Sequence, residues 1–157
     1  MNISDLLAPD AVVAALKVQS KKQLLQELAS RAAAITNHAE RRIFETLVER
    51  ERLGTTGVGQ GVAIPHGRLS DLKNIAGLFV RLDNPIDYSS VDNQPVDLVF
   101  MLLAPEGAGA DHLKALARVS RLLRNQATCE KLRAARSAEA IFSILTEPTG
   151  GAGAQAA

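Results

Sequence analysis

Residues 50–68 read R-E-R-L-G-T-T-G-V-G-Q-G-V-A-I-P-H-G-R, and the rest of the chain can be interpreted around this stretch. Glycine recurs four times between positions 54 and 61, so the backbone there can adopt positive φ and approach another group closely. The apolar run Val62-Ala63-Ile64 that follows is short and partly β-branched. Such a run is typical of a strand that enters the body of the protein.

The predicted strand leads directly into Pro65-His66-Gly67. Pro65 restricts its own φ and favours an extended Ile64, while Gly67 has no side chain to crowd the imidazole. The sequence therefore predicts that His66 is held in one orientation with one face open. A nucleophile requires this arrangement, and a histidine that only fills a core does not.

Two familiar phosphate-binding loops do not fit the glycine-rich stretch. The P-loop requires Gly-Lys-Ser/Thr, and no lysine occurs in residues 23–72. The dinucleotide fingerprint requires a third glycine where Val62 stands, and it opens a helix rather than a strand. A histidine that carries a phosphoryl group covalently remains possible, with His66 as acceptor, N–H groups of residues 57–61 as donors and Arg50 as a cation.

The run from Arg50 to Gly67 resembles the active-site signature R-E-x-x-G-[ST]-T-G-[VI]-G-x-G-[VI]-A-I-P-H-G of the type-2 IIA domains of the phosphoenolpyruvate-dependent phosphotransferase system (PTS). The stretches D-N-Q-P-V-D-L at 92–98 and D-H-L at 111–113 resemble, more narrowly, its nitrogen-regulatory branch, enzyme IIA-Ntr. The resemblance extends from about Ser4 to Thr146. It implies an α/β fold, a single-domain sandwich whose mixed β-sheet is flanked by helices, as the alternation of helical and strand patterns also indicates.

The resemblance also implies roles for three residues: His66 as the phosphoryl acceptor, Arg50 as the active-site arginine and His112 as a second histidine beside the first. Their local patterns alone favour other interpretations. Arg50 falls in the last turn of a predicted helix, where the helix dipole favours any cation. A histidine in the first turn of a helix, as His112 is, is more often a surface or capping residue.

By resemblance, we expect His66 to be phosphorylated by an HPr-like phosphocarrier, and regulatory target proteins to respond to the phosphorylation state. The chain would then be an enzyme only as a phosphotransferase component, and no metal or cofactor is required. The alternative is a free-standing fructose- or mannitol-specific IIA component that passes phosphate to a IIB domain. A binding module without transfer activity and a metallohydrolase using His66 and His112 as ligands are further alternatives; the latter lacks a recognisable third ligand.

Composition excludes several classes of protein. The 157 residues carry a net charge of +1, with no Trp and one Tyr, which argues against a nucleic-acid-binding protein. The single cysteine, Cys129, is most simply a buried apolar residue. No signal peptide and no apolar run of membrane-spanning length is apparent. These features predict a cytoplasmic protein that is not inserted in the membrane.

Hydrophobic periodicity and turn residues predict the order of elements. We expect one domain over residues 1–147 and a flexible tail over 148–157. The predicted strands are Val12–Leu16, Val62–Ile64, Ile75–Leu82 and Val96–Ala104, with turns at 68–74, 84–87 and 92–95. The predicted helices are 20–35, which residues 36–38 interrupt, 39–54, one that begins at Ala110 or Asp111, 127–136 and 138–145. The third helix is predicted to bury Leu113, Leu116, Ala117, Ser120 and Leu123, with His112 beside this face. The residues predicted to contact the carrier protein are Val58, Val62 and Leu69.

Overall fold

The structure, a computed structural model, describes residues 1–147, and the predicted tail at 148–157 lies outside the described residues. Within these residues six strands form one sheet: β1 (Val12–Leu16), β2 (Gly57–Gly59), β3 (Val62–Ala63), β4 (His66–Leu69), β5 (Ala76–Ile86) and β6 (Val96–Pro105). The described part of the chain also has five α-helices: α1 (Lys21–Thr36), α2 (Glu40–Arg52), α3 (Gly109–Arg124), α4 (Gln126–Ala134) and α5 (Ala138–Leu145). No helix within residues 1–147 combines the length and apolarity needed to cross a bilayer.

Strand β6 lies at the centre of the sheet, whose order is β1-β5-β6-β3-β2 with β4 also paired to β6. β5 runs antiparallel to β6, whereas β3 and β4 run parallel to it, one after the other along the same edge. Residues 98–104 of β6 are all buried, and successive side chains point to opposite faces, so both faces of the sheet are covered. The predicted α/β fold with a mixed sheet flanked by helices is confirmed.

Local signals set several boundaries as expected. β1 and α5 have the predicted limits. The side chain of Ser20 accepts a hydrogen bond from the N–H of Gln23, as the predicted cap of α1 requires. Gly54 follows the end of α2 with φ 151°, a conformation in which glycine is favoured.

Three predictions about the strands are wrong. Residues 68 and 69, expected to begin a polar turn, instead belong to β4, because the backbone of residues 66–69 pairs with β6. Gly57–Gly59 forms a short strand instead of an open loop. A turn was expected at residues 84–87, but β5 continues as far as Ile86, with an irregularity in its pairing after Arg81. Pairing with a neighbouring strand, which local residue types do not reveal, decides each case.

The N-terminal segment packs closely on β5 at Gly77. The N–H of Gly77 donates to the carbonyl of Leu6 at 2.8 Å. A Cβ at this position would lie 2.8 Å from that carbonyl oxygen and 2.9 Å from Cε1 of Phe100. The backbone of one segment and the ring of the neighbouring strand therefore require a glycine at position 77.

We expect Gly77→Ala to lower the free energy of unfolding by about 1–3 kcal/mol, because the added methyl overpacks against backbone that cannot move away freely. Gly107→Ala is the matched control, since a Cβ there meets no atom within 4 Å. Urea unfolding of both variants measures the difference. Equal midpoints for the two variants would show that the segment containing Leu6 moves aside at little cost.

Candidate functional site

Strand β4 and helix α3, which both adjoin β6, bring His66 and His112 together. His66 is the first residue of β4 and pairs with Leu102 of β6. The chain leaves β6 at Pro105 and enters α3 at Gly109, which carries His112 in its first turn. The two rings meet edge to face, with their centroids 5.7 Å apart.

Hydrogen bonds define the protonation of His66. Its Nδ1 lies 2.7 Å from the carbonyl oxygen of Ile64, which can only accept, so Nδ1 carries the proton. Its Nε2 lies 3.3 Å from Nε of Arg50, and a guanidinium can only donate. Both contacts require the same neutral tautomer. The lone pair is therefore on Nε2, the ring nitrogen farther from the backbone.

Arg50 is held at the end of α2 by a second hydrogen bond, from its Nη1 to the carbonyl of Gly54 at 2.9 Å. The structure thus brings together the three residues singled out in the sequence: Arg50, His66 and His112. Arg50 also acts as a cation in the last turn of its helix, so the local interpretation and the site interpretation are compatible.

A buried polar network anchors the residue next to Arg50. The carboxylate of Glu51 accepts hydrogen bonds from Thr56 N at 3.1 Å, from the Thr56 hydroxyl and from the Tyr88 hydroxyl at 3.0 Å, and it pairs with Lys21 Nζ at 2.9 Å. The ammonium of Lys21 also lies 4.3 Å from the centre of the Tyr88 ring. Burial, and then the Glu51 carboxylate, raise the pKa of the Tyr88 phenol, so it stays a donor. This network ties the end of α2 to the start of the glycine-rich stretch.

His112 is buried, with 5% of its surface exposed, which contradicts its predicted place beside the apolar face of α3. The buried residues of this helix are His112, Ala115, Val119 and Leu123, so only Leu123 of the predicted face is confirmed as buried. Leu113 is 66% exposed. The prediction failed because it assigned the bulkier leucine to the interior, whereas the sheet accepts the histidine and small residues there.

Arg68, for which the sequence indicates no role, reaches the second histidine. Its Nε lies 3.4 Å from Nδ1 of His112. Arg68 stands two residues after His66 on β4, so both side chains leave the same face of the strand. That spacing would have been a signal only if residues 66–69 had been recognised as a strand.

Burial lowers the pKa of His66 below its ordinary value of 6.5, and the nearby Arg50 charge lowers it further; the hydrogen bond to Ile64 and the Glu51 charge oppose this. Burial also lowers the pKa of His112, with contributions from His66 and Arg68. Both rings are therefore neutral at pH 7. A neutral imidazole has the lone pair that a nucleophile needs.

The site lies on a concave surface that encloses a volume of about 650 Å³. Arg50, His66, Arg68 and His112 line it together with the exposed leucines Leu53 and Leu113 and several neighbouring side chains. The docking candidates from the sequence fit poorly: Val62 and Leu69 are each 1% exposed, and Val58 does not line this surface.

The glycine-rich hairpin does not surround the imidazole, contrary to expectation. Val62, which follows the hairpin loop, pairs with Leu98 of β6, whereas His66 pairs with Leu102. These two positions on β6 are four residues apart, roughly 13 Å along a strand. The N–H of Gln60 already donates to Asp92 Oδ2 at 2.9 Å, and that of Gly57 to Thr55 Oγ1 at 3.1 Å. These N–H groups therefore stabilise the hairpin and are not donors to a ligand on His66.

The aspartates near the turns also have local roles. Asp92 accepts from two backbone N–H groups, Asp87 accepts from the N–H of Ser89, and Asp97 forms a bidentate pair with Arg133 at 2.8 Å. Within residues 1–147 no group of three or more His, Cys, Asp or Glu side chains is arranged to hold a metal ion. Cys129 is buried, as predicted.

Comparison with known proteins is consistent with this geometry. Residues 5–147 match the family described as phosphoenolpyruvate-dependent sugar phosphotransferase system, EIIA 2. A nitrogen regulatory protein of Bradyrhizobium diazoefficiens is 66% identical over 148 residues, which cover 94% of this chain and 97% of the relative. A nitrogen regulatory protein of Escherichia coli K12 is 38% identical over 96% of this chain and 93% of its own length.

A solved structure shares both the sequence and the fold. The crystal structure of nitrogen regulatory protein IIA-Ntr from Neisseria meningitidis superposes with a TM-score of 0.88 at 38% identity. The match covers 92% of this chain and 99% of that structure. The likeness therefore extends over most of the length of both chains.

We expect Arg50→Ala to raise the pKa of His66 towards its ordinary value, because the variant removes a positive charge that disfavours the imidazolium. The native ring should accordingly stay neutral to lower pH than the variant ring. Proton NMR titration of the His66 ring resonances measures both midpoints. Arg41→Ala is the control for lost charge, since Arg41 is a 90% exposed side chain on α2 that pairs with Glu45; an identical titration of all three proteins would contradict the assignment.

Proposed function

This chain belongs to the PTS EIIA type-2 family, and from that membership we propose that it is a nitrogen-regulatory phosphoryl acceptor. His66 receives the phosphoryl group from an HPr-like phosphocarrier, and the phosphorylation state determines which partner proteins the chain binds. The observation that carries this proposal is the lone pair of His66 Nε2, which faces the guanidinium of Arg50, with the ring of His112 beside that of His66. The identity of 66% to a nitrogen regulatory protein supports the regulatory branch.

The transfer exchanges one phosphorus–nitrogen bond for another. The Nε2 lone pair of His66 attacks phosphorus, and the bond to the carrier's imidazole breaks with its electron pair returning to that ring. His66 keeps its proton on Nδ1, where the Ile64 carbonyl stabilises the positive charge that the ring acquires. The chain does not have to supply a further proton. Its contribution to the transfer is therefore to align the two imidazole rings and to stabilise the charge that develops.

Arg50 and His112 would stabilise the transferred group. The loose transition state spreads negative charge over three equatorial oxygens. Arg50 can turn its N–H groups from Nε2 to these oxygens, and His112 borders the same space. A preorganised donor of this kind typically contributes on the order of 100-fold in rate. In this proposal the hairpin of residues 57–61 contributes only by supporting the site.

The carrier would dock on the concave surface through its apolar rim. Leu53 is 85% exposed at the end of α2, and Leu113 is 66% exposed at the start of α3. Both line the same surface as His66. Exposed leucines on either side of a nucleophile suit a small, transient interface that excludes water during transfer.

Regulation follows from the charge that is added. A phosphohistidine brings nearly two negative charges to a surface lined by arginines, which changes its electrostatic complementarity to any partner. The sugar-specific alternative uses the same chemistry and differs in the recipient. Transfer of label from the phosphorylated chain to a fructose- or mannitol-type IIB domain would favour that alternative. The cytoplasmic location expected from the sequence is part of the proposal.

Phosphorylation of the purified chain by phosphoenolpyruvate, enzyme I and an HPr-like carrier should give an acid-labile product. We expect His66→Ala to abolish the label, because it removes the acceptor nitrogen. His38→Ala is the matched control, since His38 lies in the loop after α1 with its Nδ1 on the Thr36 carbonyl. Label that persists in His66→Ala, or disappears in His38→Ala, would overturn the assignment of the acceptor.

Leu113→Asp should raise the carrier concentration needed for half-maximal phosphorylation by about tenfold while the maximal rate is largely kept, because the change alters docking and not the reacting atoms. Val91→Asp serves as the control: Val91 is 69% exposed but does not line the concave surface. Initial rates over a range of carrier concentrations separate the two parameters. Equal behaviour of both variants would place the docking surface elsewhere.

A further inference from the structure

We propose that Arg68 is a positioning residue of the acceptor site, which holds His112 as a neutral ring with its proton on Nε2. The second histidine then meets a phosphoryl group on His66 as a hydrogen-bond donor. This inference rests on the proposed function and extends it to a residue that lies outside the sequence motif. Arg68 acts through His112 and need not touch the phosphoryl group itself.

The contact between Arg68 and His112 determines where the proton lies. Nε of Arg68 faces Nδ1 of His112 at 3.4 Å. A guanidinium has donors only and remains charged, so Nδ1 must present its lone pair. The neutral ring then has its proton on Nε2. An imidazolium is disfavoured as well, because its Nδ1–H would point at another donor.

The Nε2 atom of His112 lacks the hydrogen-bond partner that a buried ring nitrogen normally has. It is buried and has no hydrogen-bond partner within residues 1–147. The residue as a whole is buried, with only 5% of its surface exposed. Buried donors are nearly always paired in native proteins, and an unpaired one often marks a functional site. A phosphoryl oxygen on the adjacent His66, whose ring centre lies 5.7 Å away, provides an acceptor of the right chemistry.

The two histidines have opposite tautomers for the same reason. In His66 the arginine faces Nε2 and the backbone carbonyl faces Nδ1, so Nε2 is the nucleophile. In His112 the arginine faces Nδ1, so Nε2 is the donor. The charged and titratable groups that act on His112 are His66 and Arg68, both on β4. One strand therefore supplies both the acceptor and the group that prepares its neighbour.

The test compares Arg68→Met, Arg68→Lys and the control Arg41→Met, which removes the same charge from a 90% exposed side chain. Nitrogen-15 NMR of the unphosphorylated proteins reports the protonation of each nitrogen of His112. Native protein and Arg41→Met should show a proton on Nε2 alone. Arg68→Met should show partial protonation of Nδ1, whereas Arg68→Lys should largely retain the native pattern because lysine also has donors only.

Phosphorylation rates at saturating carrier give the second measurement. We expect Arg68→Met to slow acceptance on the order of tenfold, a smaller effect than the hundredfold or greater loss for deletion of a donor that contacts the transferring group. Arg68→Lys should recover most of the native rate. An unaltered His112 spectrum, an unaltered rate in Arg68→Met, or a failure of lysine to restore the rate while the native tautomer is kept would each overturn the inference.

Failure of the proposed function would appear differently. If the proposed function is wrong, the wild-type chain takes up no label. That result would also exclude a role for Arg68 in accepting a phosphoryl group. If wild type is labelled and Arg68→Met matches Arg41→Met in both measurements, only the inference about Arg68 fails. The backbone resonances in the same NMR spectra establish that each variant is folded.

Discussion

The pairing of β4 with β6 is the constraint on which the site depends. Backbone hydrogen bonds set His66 beside Leu102, and Pro65, which cannot donate, separates β3 from β4 along the same edge of β6. Because α3 follows β6 after a short loop, its first turn returns to the start of β4. A shift of β4 by one residue would turn His66 and Arg68 to the opposite face of the sheet and separate them from His112.

Within this frame, two arginine–histidine contacts determine which nitrogen of each ring carries the lone pair. Each guanidinium faces one ring nitrogen, and each therefore requires a lone pair at that atom. Burial and the two positive charges lower the pKa of both rings, so neither becomes an imidazolium near neutral pH. The Glu51 network anchors one of these arginines through the end of α2, and strand geometry places the other. The two rings are thus positioned by backbone pairing and by buried polar groups.

The residues of the family signature have two different structural roles, which the sequence alone does not distinguish. Arg50, Glu51 and His66 belong to the site or support it directly. The glycines after Thr56 form a hairpin that is fastened by Asp92 and by Arg133, whose Nη2 donates to the carbonyl of Gln60. Gln60 itself has φ 57°, a left-handed conformation that these hydrogen bonds hold in place. The glycines serve close packing at the end of the sheet, and only three-dimensional register distinguishes that role from phosphate binding.

The sequence by itself determined the α/β class, the limits of β1 and α5 and the motif that contains Arg50 and His66, because caps, periodicity and a long signature are local properties of the chain. It did not determine that residues 66–69 form a strand, that α3 buries His112 and exposes Leu113, or that Arg68 reaches the second histidine. Those features arise from strand pairing and from the shape of the surface against which a helix packs. Both depend on residues far apart in the chain, so only the tertiary structure could decide them.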